Sequence, residues 1–288
     1  MTKKILLVTH LHRDDVANAA MRVRELAENL GISILDPDTR EIPDLVLGLG
    51  GDGTILTSAE FARQWDVPLL GMNFGHMGFL AETSVASVDE MMERVASGDF
   101  RVDKRMTLDC RIEMPKGRVR HDWALNEVAI LHTDQAHPAE VVFAVDGQAV
   151  STYATDGIIV ATPTGSTAYS FSAGGPVVWP DVEAIVMSPL AAHGLFTRPL
   201  VVGPDSELVI GILPENRLAP MVWFDGKRRA SVPASSQIVV QRSEKPVRLA
   251  RLDDTPFSSR LVTKFALPTT GWRGTNAGRN TSGATDAN

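Results

Sequence analysis

The chain has 288 residues, of which 44% are hydrophobic, enough to bury one large core or two smaller ones. Its formal net charge of −7 gives no overall basic surface, so we expect no nucleic-acid partner and no membrane partner. No apolar run reaches the ~18 residues of a membrane-spanning helix, and the single cysteine, Cys110, cannot form an internal disulfide. These features predict a soluble, cytoplasmic protein.

The first hundred residues alternate between strand and helix patterns. Residues 5–9 form a β-type run, and apolar residues then recur at helical spacing over 16–30. Asp14 is predicted to cap this helix, and Gly31 to follow its end. Further strands are predicted at 32–35, 45–49 and 68–72, with a helix at 54–64. The pattern is typical of an α/β layer with parallel strands.

After residue 105 helical periodicity becomes scarce, and short runs of Val, Ile and Leu alternate with turn residues. Asp146-Gly147 and Asp225-Gly226 are predicted hairpin turns. The strands are predicted at 141–145, 158–161, 184–187, 207–213, 221–224 and 238–241.

These patterns divide the chain into four parts. Residues 1–104 are predicted to form an α/β domain and 105–250 a β-rich domain. Residues 251–272 are predicted to return and pack on the first domain. The tail, 273–288, is rich in Gly, Asn, Thr and Ser, and we expect it to be disordered.

A glycine-rich segment, 48–54, lies between a predicted buried strand and a predicted helix. Glycines let backbone N–H groups approach a phosphate closely at a helix N-terminus, so this is a candidate anion site. Asp52 is unexpected there, because a carboxylate repels phosphate. It could accept a proton, hold a cation or cap the helix.

The same segment satisfies the dinucleotide pattern G-x-G-x-x-G at Gly48, Gly50 and Gly53, which makes an NAD-dependent oxidoreductase the main alternative. The acidic residue that usually follows about 20 positions later is missing, since 69–78 contains none. A Walker motif and the protein-kinase signatures are also absent.

Three more segments are candidates for binding. Residues 71–80 follow the next strand and would line the same crevice, or would simply connect two elements. Asn126-Glu127 suits a nucleoside but also an ordinary strand edge. In 156–169 the hydroxyls could bind a ligand or cap a helix, and Tyr169 could stack on a base or pack in the core.

Together, 50–54, 73–80, 126–127 and 156–176 resemble the ordered motifs of the NAD kinase family, of the bacterial ATP- or polyphosphate-dependent type, and the resemblance covers roughly residues 44–272. It implies an α/β domain of phosphofructokinase-like type, a C-terminal β-sandwich and a nucleotide site between them. It also implies transfer of a phosphoryl group to the 2′-hydroxyl of the adenosine ribose of NAD.

By the same resemblance Asp52 is the catalytic base that accepts the 2′-hydroxyl proton, and Asp156 reaches into a neighbouring subunit's site. The residues implied to bind substrates are Gly50, Gly51, Asp52, Gly53, Thr54, Asn73, Asn126, Glu127, His137, Asp156, Thr164, Thr167, Ala168, Tyr169, Ser170, Phe171 and Ser172. The chain departs from the family pattern at Ala154, where many members carry Arg.

The resemblance also implies partners and cofactors. We expect a homodimer or homotetramer with shared sites, ATP or polyphosphate as donor, and a divalent cation, Mg²⁺, bound mainly through phosphates. We assign no protein metal ligand. A catalytically silent NADP-binding module is a third hypothesis, but such a module would be expected to lack the Asp at position 52.

Overall fold

The structure, a computed structural model, describes residues 2–9, 13–74, 78–81, 87–134 and 136–269. In the N-terminal part strands alternate with helices, as predicted. The elements are β1 (Lys4–Thr9), α1 (Asp14–Asn29), β2 (Ser33–Leu35), β3 (Leu45–Leu49), α2 (Asp52–Trp65), β4 (Leu69–Met72), α3 (Val88–Ser97) and β5 (Arg101–Arg105).

Helix α1 buries Val16, Ala19 and Val23, the apolar positions whose spacing predicted it. Its predicted N-cap is wrong. Arg13 occupies the cap position without a side-chain cap bond, and Asp14 is the first helical residue, where a carboxylate favourably meets the helix dipole. Gly31 follows the helix end with φ of +67°, as predicted.

The second part is built almost entirely of strands. They are β6 (Leu108–Met114), β7 (Arg118–Ala124), β8 (Glu127–Leu131), β9 (Ala139–Val145), β10 (Gln148–Thr155), β11 (Gly157–Ala161), β12 (Ile185–Leu190), β13 (Leu200–Val202), β14 (Leu208–Ile212), β15 (Met221–Phe224), β16 (Arg228–Ser231) and β17 (Gln237–Arg242). Three helical turns interrupt them, at Pro115–Gly117, Thr164–Thr167 and α4 (Tyr169–Ser172).

The chain then returns to the first part through β18 (Val247–Arg251) and α5 (Phe257–Phe265). β18 pairs in parallel with β4 and antiparallel with β5, so the crossing to the first sheet occurs at Val247. The predicted boundary at residue 250 lies inside this strand. The predicted tail, 273–288, lies outside the described residues.

The first sheet has six strands in the order β2-β1-β3-β4-β18-β5. All pairings are parallel except β5 with β18. Helices α1 and α3 pack on one face, and α2 packs on the other. Since both faces are covered, the inner strand β3 is buried along its whole length. The carboxyl ends of β3, β4 and β18 therefore meet at one edge.

The other twelve strands form two six-stranded antiparallel sheets, β10-β9-β14-β17-β6-β7 and β13-β12-β11-β8-β15-β16. One apolar core contains residues from both sheets, with Ile112 and Phe143 from the first and Ile158 and Phe224 from the second. The predicted combination of an α/β domain and a β-sandwich domain is confirmed.

Both predicted hairpin turns are present. Asp146-Gly147 joins β9 to β10, and Asp225-Gly226 lies in the turn from β15 to β16. All four residues have positive φ, as a turn matched to strand twist requires. Within the described residues, no helix is both long enough and apolar enough to cross a membrane.

Candidate functional site

The glycine loop after β3 turns directly into helix α2. Gly50 has φ of +146°, and its N–H donates to the carbonyl of Met72 at 2.9 Å. A Cβ at Gly50 would lie 2.6 Å from Thr54 Oγ1, so the position requires glycine. The loop therefore carries the first N–H groups of α2 to the carboxyl edge of the sheet, where they can bind an anion.

Asp52 is the first residue of α2, because Gly51 holds the cap position. Its carboxylate makes no capping bond, so the capping hypothesis is not supported. Its Oδ1 is buried and has no hydrogen-bond partner in the described part of the chain. Burial raises the pKa of Asp52, and the charge of Lys264 on α5 opposes this rise. A carboxylate with a raised pKa and a free oxygen can accept a proton.

The second glycine segment lies beside the first, since Leu49 pairs with Met72 and Asn73 follows directly. Gly78 packs on Asp52, and a Cβ there would lie 2.2 Å from Asp52 Oδ1. The two loops therefore line one crevice, as predicted. Residues 75–77 lie outside the described residues.

Asn126 and Glu127 lie at the start of β8, against the turn that follows β11. Thr162 donates from its N–H to the carbonyl of Asn126 at 2.9 Å and from its hydroxyl to Leu125 at 2.6 Å. A Cβ at Gly165 would lie 1.9 Å from the Asn126 carbonyl oxygen, so only glycine fits there. Residues 126–127 and the hydroxyl-rich segment thus form one unit.

The hydroxyls of Thr164, Ser166 and Thr167 do not cap a helix, whereas the Thr162 hydroxyl accepts the Gly165 N–H at 3.0 Å in the first turn after it. Pro163 and Ala168 hold the cap positions of the two short turns, and neither makes a side-chain cap bond. Ser166 instead accepts from the Val178 N–H at 2.9 Å, and Ser170 bonds Ser188 at 3.1 Å. All the residues between 164 and 172 that the resemblance implies as substrate contacts lie in this segment, but they differ in exposure. Those that are buried are Thr164 and Ser170. Those that are half-buried are Thr167, Ala168 and Tyr169, and those that are exposed are Phe171 and Ser172.

Glu127 is only 6% exposed, and its Oε2 has no partner in the described part of the chain. Burial and the nearby charge of Asp225 raise the pKa of Glu127 to about 8, while an N–H from Tyr169 opposes the rise. Near neutral pH this carboxyl is mostly protonated, so it can donate a hydrogen bond as well as accept one.

Asp225 organises this unit from the turn between β15 and β16. Its carboxylate accepts backbone N–H bonds from Leu125 at 3.0 Å, Asn126 at 2.7 Å and Glu127 at 3.3 Å. Burial raises the pKa of Asp225, and these donors and Arg228, 3.3 Å away, oppose the rise. The sequence predicted only a hairpin turn here and missed this function, which depends on residues about a hundred positions away.

The hairpin is joined to helix α2 by two side chains that follow Asp225, those of Lys227 and Arg228. Lys227 donates to the Thr57 hydroxyl and, at 3.4 Å, to the Gly53 carbonyl. Arg228 lies 3.4 Å from Glu60 and also pairs with Asp122. Together with Lys264, they are site residues that the sequence did not single out, because their partners are distant in the chain.

Asp156 and His137 do not join the other implied residues within one chain. β8 and β11 are antiparallel, with Glu127 opposite Ala161 at one end and Leu131 opposite Gly157 at the other. Asp156, five residues from Ala161, therefore lies about 17 Å along the strands from Glu127. It is 3.9 Å from His132, and His137 contacts Asp134 at 3.1 Å, in the same distant region.

No group of three or more His, Cys, Asp or Glu side chains is arranged to hold a metal ion in the described ranges. Asp52 is the carboxylate that lies at the glycine loop. This donor set fits a cation held mainly by phosphate oxygens of a substrate, rather than by a protein cage.

Family models match both parts of the chain. The ATP-NAD kinase N-terminal domain matches residues 35–100, and the ATP-NAD kinase C-terminal domain matches 125–252. The chain is 42% identical to "NAD kinase 2" of Streptomyces coelicolor, covering 94% of this chain and 97% of that relative. It is 49% identical to the NAD kinase of Leifsonia xyli, covering 80% and 76%.

Solved structures show the same fold. A yeast NADH kinase complexed with NADH matches with a TM-score of 0.83 at 21% identity, over 93% of this chain and 89% of that one. An NAD kinase from Archaeoglobus fulgidus in complex with ATP matches with a TM-score of 0.73 at 26% identity, over 93% of this chain and 100% of that one.

Glu127 makes stability depend on pH. Its folded-state pKa of about 8 exceeds the ordinary 4.5, so the folded protein keeps a proton that the unfolded chain has lost between those values. This contribution to the free energy of unfolding falls as pH rises through that window. The side chain of Glu127→Gln cannot ionise. The difference in free energy of unfolding between this variant and the parent should therefore grow in favour of the variant, by on the order of 1–3 kcal/mol, from about pH 5 to about pH 8.5.

Urea unfolding at both pH values measures this gain. Glu244→Gln removes an exposed carboxyl and is the matched control. A stability difference between Glu127→Gln and the parent that is equal at both pH values would refute the assigned protonation.

Proposed function

The chain belongs to the NAD kinase family, and on this premise we propose that it transfers the γ-phosphoryl group of ATP to the 2′-hydroxyl of the adenosine ribose of NAD, giving NADP and ADP. The observation that carries the mechanism is the buried Oδ1 of Asp52, which has no partner in the described residues and lies at the glycine loop.

Asp52 acts as the general base. Its carboxylate takes the proton of the 2′-hydroxyl while the hydroxyl oxygen forms a bond to the γ-phosphorus and the bond to the ADP oxygen breaks. The raised pKa of Asp52 makes the carboxylate a stronger base than an exposed aspartate. The transition state of phosphoryl transfer is loose, so positioning and charge neutralisation contribute more than covalent chemistry.

The glycine loop holds the donor phosphates through the backbone N–H groups of Gly51 and Gly53, because the N–H of Gly50 donates to Met72 and that of Thr54 to Gly51. A divalent cation, Mg²⁺, would bind there mainly through phosphate oxygens and would neutralise phosphate charge. Lys264 opposes the rise in the pKa of Asp52 and adds a positive charge near the reacting groups.

Adenosine is bound by residues 126–127 and the hydroxyl-rich segment beside them, which Asp225 holds in place. Asn126 offers an amide, and Glu127 offers a carboxyl that can donate or accept near neutral pH. The backbone N–H of Tyr169 lies at Glu127. Thr164 and Asn73, which directly follows β4, complete the proposed contacts. An oxidoreductase is not supported, because the acidic residue of the dinucleotide fingerprint is absent from 69–78.

Asp156 and His137 serve the site of a second subunit in this proposal. The half-exposed Asp156 lies about 17 Å along the strands from Glu127 of its own chain, which supports a site completed by another copy. The assembly is a homodimer, or a tetramer built from dimers. The single cysteine fits a cytoplasmic location.

The reaction itself is tested with purified protein, NAD and Mg²⁺. We expect NADP to form with ATP, without any change in nicotinamide absorbance. Parallel reactions with polyphosphate show whether it also serves as donor. A silent NADP-binding module would form no NADP with either donor, and that result would overturn the proposal.

Asp52→Asn keeps the shape of the side chain but cannot accept the proton. Turnover should fall on the order of 10²- to 10⁴-fold, with NAD binding nearly unchanged by calorimetry. If Asp52 instead holds the cation, excess Mg²⁺ should restore part of the rate. The control is Asp66→Asn, the same exchange in an exposed residue at the other end of α2. Near-normal turnover of Asp52→Asn contradicts both roles.

Complementation tests whether the site is shared. Asp52→Asn and Asp156→Ala should each be inactive alone, but a mixed dimer has one site free of both changes. Co-expression at equal levels should therefore restore about a quarter of the parent activity, since about half of the dimers are mixed. Light scattering should show a dimer or larger. An active monomer, or no recovery of activity on co-expression, would contradict a site shared between subunits.

A further inference from the structure

His132 and Asp156 face each other at the ends of two neighbouring strands. β8 and β11 are antiparallel, and their pairing continues one residue beyond Leu131 and Gly157, where the His132 N–H donates to the Asp156 carbonyl at 3.0 Å. Directly opposed residues of an antiparallel pair carry their side chains on the same face. The imidazole Nε2 of His132 accordingly lies 3.9 Å from Asp156 Oδ1. The strand register thus makes these two side chains neighbours.

The main chain of Asp156 is fixed on both sides. Its carbonyl accepts from His132, and its N–H donates to the Leu190 carbonyl on β12 at 3.1 Å. The buried Thr155 strengthens this contact, because its hydroxyl bonds the same carbonyl at 2.6 Å. The Asp156 side chain is 48% exposed, and within the described ranges its one ion-pair partner is His132. The orientation of this carboxylate therefore depends on the imidazole.

The same imidazole contacts the segment that carries His137. Its Nδ1 lies 3.3 Å from the His137 carbonyl oxygen, and since a carbonyl only accepts, Nδ1 donates. In the imidazolium form both ring nitrogens donate, Nδ1 to this carbonyl and Nε2 towards Asp156. His132 therefore contacts both of the residues that are proposed to serve a second subunit.

The segment that follows β8 has other contacts that hold its path. The Thr133 hydroxyl donates to the Ala219 carbonyl at 3.0 Å. The side-chain amide of Asn216 donates to the Glu140 carbonyl at 2.6 Å. A partly exposed ion pair such as that of His132 contributes little to stability. The imidazole thus orients its neighbours more than it holds the fold.

We propose that His132 is a positioning residue, which holds the Asp156 carboxylate in the orientation that the site of the second subunit requires. This role rests on the proposed function, because it requires that Asp156 acts in a neighbouring copy. His132→Leu keeps a side chain of similar size but loses both ring nitrogens. Its turnover should fall about 10- to 100-fold, because a displaced group at a reacting site costs rate, while its Tm stays close to that of the parent.

Co-expression shows in which site His132 acts. In a mixed dimer of His132→Leu and Asp52→Asn, one site combines an intact Asp52 with an intact His132 and Asp156 from the other chain. This pairing should therefore recover about a quarter of the parent activity. His132→Leu with Asp156→Ala should show no recovery, because each site of that mixed dimer receives a changed residue from the other chain.

A role of His132 in the site of its own chain predicts the reverse, with recovery beside Asp156→Ala and none beside Asp52→Asn. That pattern, the same result in both pairings, or parent-like turnover of His132→Leu would overturn the proposal. The reference is co-expression of Asp52→Asn with Asp156→Ala. If the reference recovers activity and His132→Leu does not behave as Asp156→Ala does, the role of His132 fails and the shared site stands. If the reference does not recover, the shared site itself fails.

Two conservative variants separate the contacts of the ring. His132→Gln carries an amide donor long enough to reach Asp156, so it should retain more turnover than His132→Leu, and an equal loss would contradict the pairing. His132→Asn keeps only the shorter reach to the His137 carbonyl, and it replaces His132→Leu in both pairings if that variant does not fold. The matched control is His121→Leu, an exposed histidine on β7, at the opposite edge of its sheet from β10, which should keep the parent turnover.

Discussion

Asp225 is buried and accepts hydrogen bonds from three consecutive backbone N–H groups, those of Leu125, Asn126 and Glu127. Three donors aimed at one carboxylate fix the path of the chain where it enters β8. Because Thr162 bonds the carbonyls of this same segment, the turn after β11 is fixed as well. The position of Asn126 and Glu127, the groups proposed to bind adenosine, thus depends on one side chain in a hairpin turn.

The same carboxylate determines the charge of its neighbour. Two carboxyls in a buried region do not both ionise without strong support. The backbone donors and Arg228 support a charge on Asp225, whereas Glu127 receives one N–H, from Tyr169. The proton therefore resides on Glu127. Lys227 and Arg228 continue from this turn to α2, so the hairpin that orders residues 125–127 also positions the helix that begins at Asp52.

The sequence predicted the parts of this arrangement that depend on local pattern. Buried apolar runs indicated β3 and β4, and glycines at strand ends indicated the two loops around Asp52. The hairpin at Asp225 was predicted from its turn residues alone. Its hydrogen bonds to 125–127 were not predictable, because no local pattern specifies a contact across about a hundred residues.

Other elements escaped the sequence analysis for the same kind of reason. β5 and β18 carry many charged residues, so their sequences lack the apolar run typical of an inner strand. Their partners are each other and β4, which only the folded chain brings together. Asp156 shows the opposite case: its motif was recognised, but its position far from Glu127 was visible only in the pairing of β8 with β11.

The environment of Asp52 finally depends on the last described helix. Arg251 and Arg260 hold the carbonyls of 79–81, and this fixes the segment whose first residue, Gly78, packs on Asp52. Phe265 at the end of α5 stacks on Phe171 of the other domain, with ring centroids 4.6 Å apart. α5 thus joins both domains beside the carboxylate and brings Lys264 to it. Burial by these contacts raises the pKa of Asp52 while Lys264 opposes the rise, so the return of the chain to the first domain sets the basicity of the carboxylate proposed as the general base.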